Sequence, residues 1–292
     1  MRRILDKVKL FAELVKFEHS VFALPYAYVG ALYGAAERGN LPSLVSLFWI
    51  TVVMVAARAF AFVLNRAVDK EIDARNPRTA GRAVPAGRIT AWELWGFAAA
   101  VLVLYLVGVW QLAPVVRWLA PVPLAAFVVY PYTKRFTKLC HYWLGMCLGL
   151  APVGAWLAVG ASAGDPAPWL MGLAVALWTA GFDIIYATQD VECDRRDGVH
   201  SMPADIGVGP ALVQTRFLHA LTVLLLVAAG ASAGAGAGWF VGIGAAAALL
   251  WYENSIVSAD DLSRVDAAFF TTNGVIAIVV LMGALVDRVT GV

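Results

Sequence analysis

An all-α integral membrane bundle of nine transmembrane helices around a central cavity open to the cytoplasm is the fold class this sequence predicts. Two observations carry the bundle: 61% of the 292 residues are hydrophobic and 14% charged, against about a quarter charged in soluble domains, and the apolar runs approach the roughly 20 residues a helix needs to cross hydrocarbon. A third carries the cavity: the acidic residues gather in helical register at the ends of two runs.

The runs fall near 18–36, 43–64, 91–112, 115–132, 142–162, 167–189, 211–233, 236–253 and 266–288, so the termini lie on opposite sides. Ahead of the first run, LDKVKLFAELVKF is basic and amphipathic and lacks a cleavage site after an apolar core; it reads as an interfacial helix rather than a signal peptide. Most of the 22 basic residues sit in the N-terminal segment and in the loops after the second, fourth, sixth and eighth runs, against Arg38, Arg117 and Arg288 on the other face. Basic residues mark the cytoplasmic side. The N-terminus and both acidic motifs are therefore expected there.

No linker divides the chain, so residues 1–292 are expected to form one domain. The loops at 74–90 and 195–210 are rich in Arg, Gly and Pro, each following an acidic helix end, a faint internal repeat. Thr90 is the expected start of the third membrane helix. Glycines in the fifth, seventh and eighth runs either pack helices closely or leave a groove for a chain-like substrate. Cys140, Cys147 and Cys193 lack metal spacing and are assigned to packing. The net charge of +2 says little about partners beyond anionic lipid head groups, and no nucleic-acid partner is expected. Membrane lipid is the expected surrounding, and no obligatory protein partner is evident.

The chemistry rests on two stripes: Asn65, Asp69 and Asp73 in LNRAVDKEID, and Asp183, Asp190 and Asp194 in FDIIYATQDVECD. Residues four apart lie one turn along the same helix face, giving carboxylate pairs Asp69/Asp73 and Asp190/Asp194. Ionisable groups in membrane helices are costly, which makes a functional site the default reading. Mg²⁺ takes one or two carboxylates, waters and phosphate oxygens, and these four aspartates supply such a set. Arg58, Arg82, Lys134 and Arg135 are the expected phosphate donors; Arg66, Arg75, Arg78, Arg195 and Arg196 read as solvated loop charges. His19 and His141 read as interfacial, and Asp205, Asp260 and Asp261 as ordinary loop residues.

The pattern Asn65-x₃-Asp69-x₃-Asp73 followed by RNPRTAGRAVPAG, the pattern Asp183-x₂-Tyr186-x₃-Asp190-x₃-Asp194-x₃-Gly198-x₂-Ser201, and YPYTKR at 130–135 resemble the signatures of the UbiA superfamily of intramembrane aromatic prenyltransferases, in its 4-hydroxybenzoate polyprenyltransferase-like group. The likeness covers the whole chain. One departure stands out: Arg66 follows the motif asparagine where many members have Asp.

The resemblance implies Mg²⁺ on Asp69, Asp73, Asp190 and Asp194 with Asn65 assisting, and a polyprenyl diphosphate whose leaving group Arg58, Lys134 and Arg135 stabilise. The allylic cation would be attacked by an aromatic acid, ortho to its phenol. Asp183 is the expected group that orients the phenol or takes its proton, Tyr186 hydrogen-bonds in the same wall, and Arg135 alternatively holds the acceptor carboxylate. The setting would be respiratory quinone biosynthesis in a prokaryotic cytoplasmic (inner) membrane, towards ubiquinone or, with a dihydroxynaphthoate acceptor, menaquinone. A secondary transporter is the rival of another class; its sites favour the bilayer midplane on broken helices.

Overall fold

The computed structural model describes residues 10, 11, 14 and 20–291, with no strand among them. In chain order the helices are α1 Ser20–Glu37, α2 Leu44–Val68, α3 Lys70–Arg75, α4 Ala91–Trp110, α5 Pro114–Leu119, α6 Pro121–Thr133, α7 Cys140–Ala158, α8 Ala167–Ala187, α9 Val191–Asp197, α10 Met202–Ile206, α11 Val208–Ser232, α12 Ala237–Ser255 and α13 Asn273–Thr290. Every predicted apolar run overlaps one of the longer helices or, at 115–132, the pair α5 and α6. His19 and most of the amphipathic N-terminal stretch lie outside the described residues; Phe11 stacks on Phe97 with ring centroids 4.6 Å apart.

Among the described residues, six segments are long and apolar enough to cross a membrane: Leu44–Val68, Ala91–Trp110, Pro114–Thr133, Ala167–Asp197, Val208–Ser232 and Ala267–Thr290. The protein is a helical multi-pass membrane protein. Six is fewer than the nine expected crossings because α1, α7 and α12 carry tyrosine, tryptophan, proline, glycine or Glu253 among their apolar residues. These helices are nonetheless well packed: Tyr26, Tyr33, Trp156 and Trp239 are all fully buried.

Local sequence sets the helix starts. Ser43 caps α2 by accepting from the Ser46 backbone N–H at 3.0 Å, and Thr90 with Glu93 forms a reciprocal capping box on α4, as the Thr90 signal predicts. Small residues set the closest approaches. A Cβ on Gly145 would stand 2.1 Å from the Ala176 carbonyl oxygen and one on Gly149 2.4 Å from that of Gly172, so α7 and α8 touch backbone to backbone. Gly154 has open space around its Cβ position and faces the internal cavity. Close packing and groove therefore share the same helix.

Candidate active site

A cavity of about 800 Å³ runs through the bundle. Asp69, Asp73, Asp190 and Asp194 line it where α2 and α8 end, and Leu112, Val116 and Trp169, just past the end of α4 and near the starts of α5 and α8, line it too. Arg58, Asn65, Arg82, Lys134, Asp183 and Tyr186 also line it. Arg135 does not: its Nη2 donates to the Val68 carbonyl at 2.8 Å and lies 3.9 Å from Asp69 Oδ1.

The two acidic rods are broken where chemistry was expected to be continuous. Asp69 (φ −90°, ψ 5°) separates α2 from α3, and Asp190 (φ −108°, ψ 4°) ends a 3₁₀ turn, Thr188–Asp190, before α9. Both sit in the sparsely populated bridge region that many active-site residues occupy. The faint repeat thus has a structural counterpart in one aspartate at each break.

Each carboxylate meets donors. Asp69, 1% exposed, accepts on Oδ2 from Lys134 Nζ at 2.6 Å and Asn65 Nδ2 at 2.8 Å. Asp73 accepts from Arg82 Nη1 on both oxygens, at 2.9 and 3.0 Å, and from Arg66 Nη1 at 3.3 Å. Asp190 accepts from Asn76 Nδ2 at 2.8 Å and from both Nε and Nη2 of Arg78. Ser201 Oγ donates to Asp194 at 2.8 Å. Tyr186 stacks on Phe269 at 4.1 Å, and its hydroxyl accepts from Arg78 Nη1 at 2.7 Å.

Burial pushes the Asp69 carboxyl above the ordinary carboxylate range, against the pull of Lys134. Burial also pulls the Arg78 guanidinium down, but its hydrogen bond to Asp190, that carboxylate's charge and Tyr186 outweigh it and leave Arg78 above the usual arginine range. Such a fork on carboxylate is the strong, bidentate kind of ion pair.

The residues fit a divalent cation that shares its shell with a phosphate. Asp69 Oδ1 is buried and has no hydrogen-bond partner among the described residues, a costly condition for a carboxylate oxygen unless a cation approaches it. Among the described residues no three His, Cys, Asp or Glu converge on one metal position. Mg²⁺ needs no such cage, because waters and substrate oxygens complete its octahedron.

Several partners escaped the sequence reading. Arg66 and Arg78 are not solvated loop charges: Arg66 is 8% exposed and both grip motif aspartates. Asn76, which the sequence reading did not single out, accepts from the Arg78 backbone N–H at 2.9 Å, and its amide also reaches Asp190. His141, read as interfacial, lies 2.7 Å from Asp183 Oδ2 through Nδ1. Chain separations of 112 and 114 residues for the Asp190 contacts left no local signal.

An apolar helical bundle with one cavity lined both by apolar side chains and by paired carboxylates and cations defines a helical membrane protein with a charged internal site. The chain belongs to the UbiA prenyltransferase family, whose profile matches residues 23–275; it is an enzyme, a prenyltransferase. It is 29% identical over 273 residues to the 4-hydroxybenzoate octaprenyltransferase of Cupriavidus necator, covering 92% of this chain and 94% of that one. The protein of the same name from Pseudomonas aeruginosa is 31% identical over 249 residues, with 83% and 81% covered. Among solved structures, a UbiA homolog from Aeropyrum pernix K1, in its apo form, matches with a TM-score of 0.82 at 33% identity over 92% of this chain and 98% of that one. A UbiA homolog from Archaeoglobus fulgidus bound to GPP and Mg²⁺ shares the fold, with a TM-score of 0.72 at 21% identity over 96% and 99%.

Proposed function

We propose that this protein transfers a polyprenyl group from its diphosphate to an aromatic acid of the 4-hydroxybenzoate type, in respiratory quinone biosynthesis. One observation carries the reading: both aspartate motifs meet at the mouth of a single cavity whose body is apolar. The names of the curated relatives support the acceptor. On this reading the chain acts as one unit with nine crossings, its N-terminus and cavity mouth on the cytoplasmic side of a prokaryotic membrane.

Asp69, Asp73, Asp190 and Asp194, with Asn65, would hold Mg²⁺. Bound there, the ion supplies Lewis-acid neutralisation of charge on the diphosphate. Lys134, Arg82 and Arg78 line the same mouth, and on substrate binding they turn from the aspartates toward phosphate oxygens. Fixed positive groups at the point where charge grows lower the barrier to C–O cleavage. Arg135 reinforces this end from outside the cavity.

Arg58 serves the acceptor better than the diphosphate. It lies seven residues before Asn65 on α2, about 10 Å further along the axis, and its Nε has no hydrogen-bond partner among the described residues. A guanidinium in that position is a fork for the carboxylate of the aromatic acid. Asp183 takes the phenolic proton, and Tyr186 together with Phe269 walls the reacting centre. The apolar body holds the prenyl chain and keeps water from the allylic cation.

The test incubates purified protein with Mg²⁺, a polyprenyl diphosphate and a panel comprising 4-hydroxybenzoate, a dihydroxynaphthoate and other phenolic acids, and identifies products by mass. A C-prenylated 4-hydroxybenzoate is expected. Product with the naphthoate alone would overturn the acceptor, and no product from any acceptor by folded protein would overturn the reaction.

A further inference from the structure

The geometry points to His141 as the positioning residue that holds Asp183 in place as a hydrogen-bond acceptor for the aromatic substrate, an inference that rests on the prenyl-transfer reading above. His141 is 3% exposed at the start of α7, and both of its ring nitrogens are engaged. The Met202 backbone N–H donates to Nε2 at 3.1 Å; Nδ1 stands 2.7 Å from Asp183 Oδ2.

A ring nitrogen that accepts from a backbone N–H carries no proton of its own. The proton is therefore on Nδ1 and is donated to Asp183, and the ring is the neutral Nδ1–H tautomer. Met202 opens α10, where the first N–H groups have no partner within the helix, and it is 3% exposed. A proton on Nε2 would leave that buried N–H facing another donor. The main chain of the second loop thus dictates the tautomer of a side chain on α7.

The consequence falls on Asp183. Its carboxylate is 20% exposed and lines the cavity, and among the described residues its hydrogen bond is to His141. One oxygen is thereby pinned and Oδ1 is left for substrate. Leu144 and Cys147, on the same helix as His141, and Phe182 line the cavity as well, an apolar wall suited to an aromatic ring.

The reaction then balances as follows. The allylic C–O bond breaks first, its electron pair leaving on the diphosphate; the ortho ring carbon then bonds to the allylic cation as Asp183 Oδ1 takes the phenolic proton. The ring carbon's own proton passes to an oxygen of the released diphosphate, which restores aromaticity, and Asp183 returns the phenolic proton to the ring oxygen. One proton leaves in all.

The test compares wild type, His141→Asn, whose amide N–H can stand where Nδ1–H stood, and His141→Ala. Protein labelled with ¹⁵N-histidine is expected to show a buried ring with an unprotonated Nε2 whose signal vanishes in His141→Asn. Alanine is expected to lower kcat at saturating acceptor by about ten- to a hundredfold, the worth of a hydrogen bond to a charged group. Donor affinity, measured by calorimetry with Mg²⁺, and melting temperature should stay near wild type, and asparagine should recover most of the rate. A ring protonated on both nitrogens would overturn the inference while leaving transfer intact. So would asparagine no better than alanine, or donor affinity falling in step with kcat. Wild type that transfers to no phenolic acid, with the neutral ring observed, would instead overturn the reading beneath it.

Discussion

Asn76 donates to Asp190 at 2.8 Å, so the loop that follows the first aspartate motif is tied directly to the second. The two halves of the site are thereby one structure. Arg78, two residues on, adds a guanidinium fork to the same carboxylate and reaches Tyr186.

This bridge predicts that Asn76→Ala raises KM for the prenyl diphosphate about tenfold, the lower end of what a hydrogen bond to a charged group contributes, with little change in melting temperature. Arg78→Lys should lose more and resemble Arg78→Ala, because an ammonium cannot reproduce a planar fork that holds Asp190 and Tyr186 together. Steady-state kinetics with the donor varied checks both. Full activity in Arg78→Lys would contradict the bidentate role.

Removing divalent metal should abolish donor binding while the fold survives, since Lys134, Arg78 and Arg82 already pair with Asp69, Asp190 and Asp73. Calorimetry before and after chelation, with circular dichroism alongside, measures it. Asp69→Ala and Asp190→Ala should each reduce turnover by about 10²-fold or more, the scale of losing electrostatic stabilisation at a developing charge, with the helical spectrum retained.

Gly145→Val should destabilise the bundle by about 1–3 kcal/mol, the usual cost of overpacking, because its Cβ would fall 2.1 Å from backbone. Gly154→Ala, with open space at the cavity wall, should leave the melting temperature unchanged. Thermal unfolding in detergent separates the two.

The helices and the start at Thr90 were legible because they depend on local chemistry: run length, the Thr90 start signal and the basic loops are all read from neighbours in sequence. The spacing of Asp69, Asp73, Asp190 and Asp194, which line one cavity, was legible for the same reason, as a period of four is a local pattern. What stayed hidden is what the fold alone brings together. Arg66 and Arg78 looked like loop charges because nothing nearby in sequence shows that Asp73 and Asp190 wait for them. His141 looked interfacial because its two partners lie 42 and 61 residues away. The breaks at Asp69 and Asp190 were also missed: the runs VDKEID and TQDVECD contain neither Gly nor Pro to announce them.

The most direct measurement places a metal and a diphosphate in the site. A crystal or cryo-electron microscopy structure with Mn²⁺ and a non-reactive thio-analogue of the prenyl diphosphate should show metal density between the Asp69/Asp73 and Asp190/Asp194 pairs, bridged to the diphosphate, with Lys134 and Arg78 turned onto its oxygens. Diphosphate bound away from either pair, or metal held by one motif while the other keeps its Arg78 and Asn76 contacts, would contradict the claim that the two motifs form one clamp.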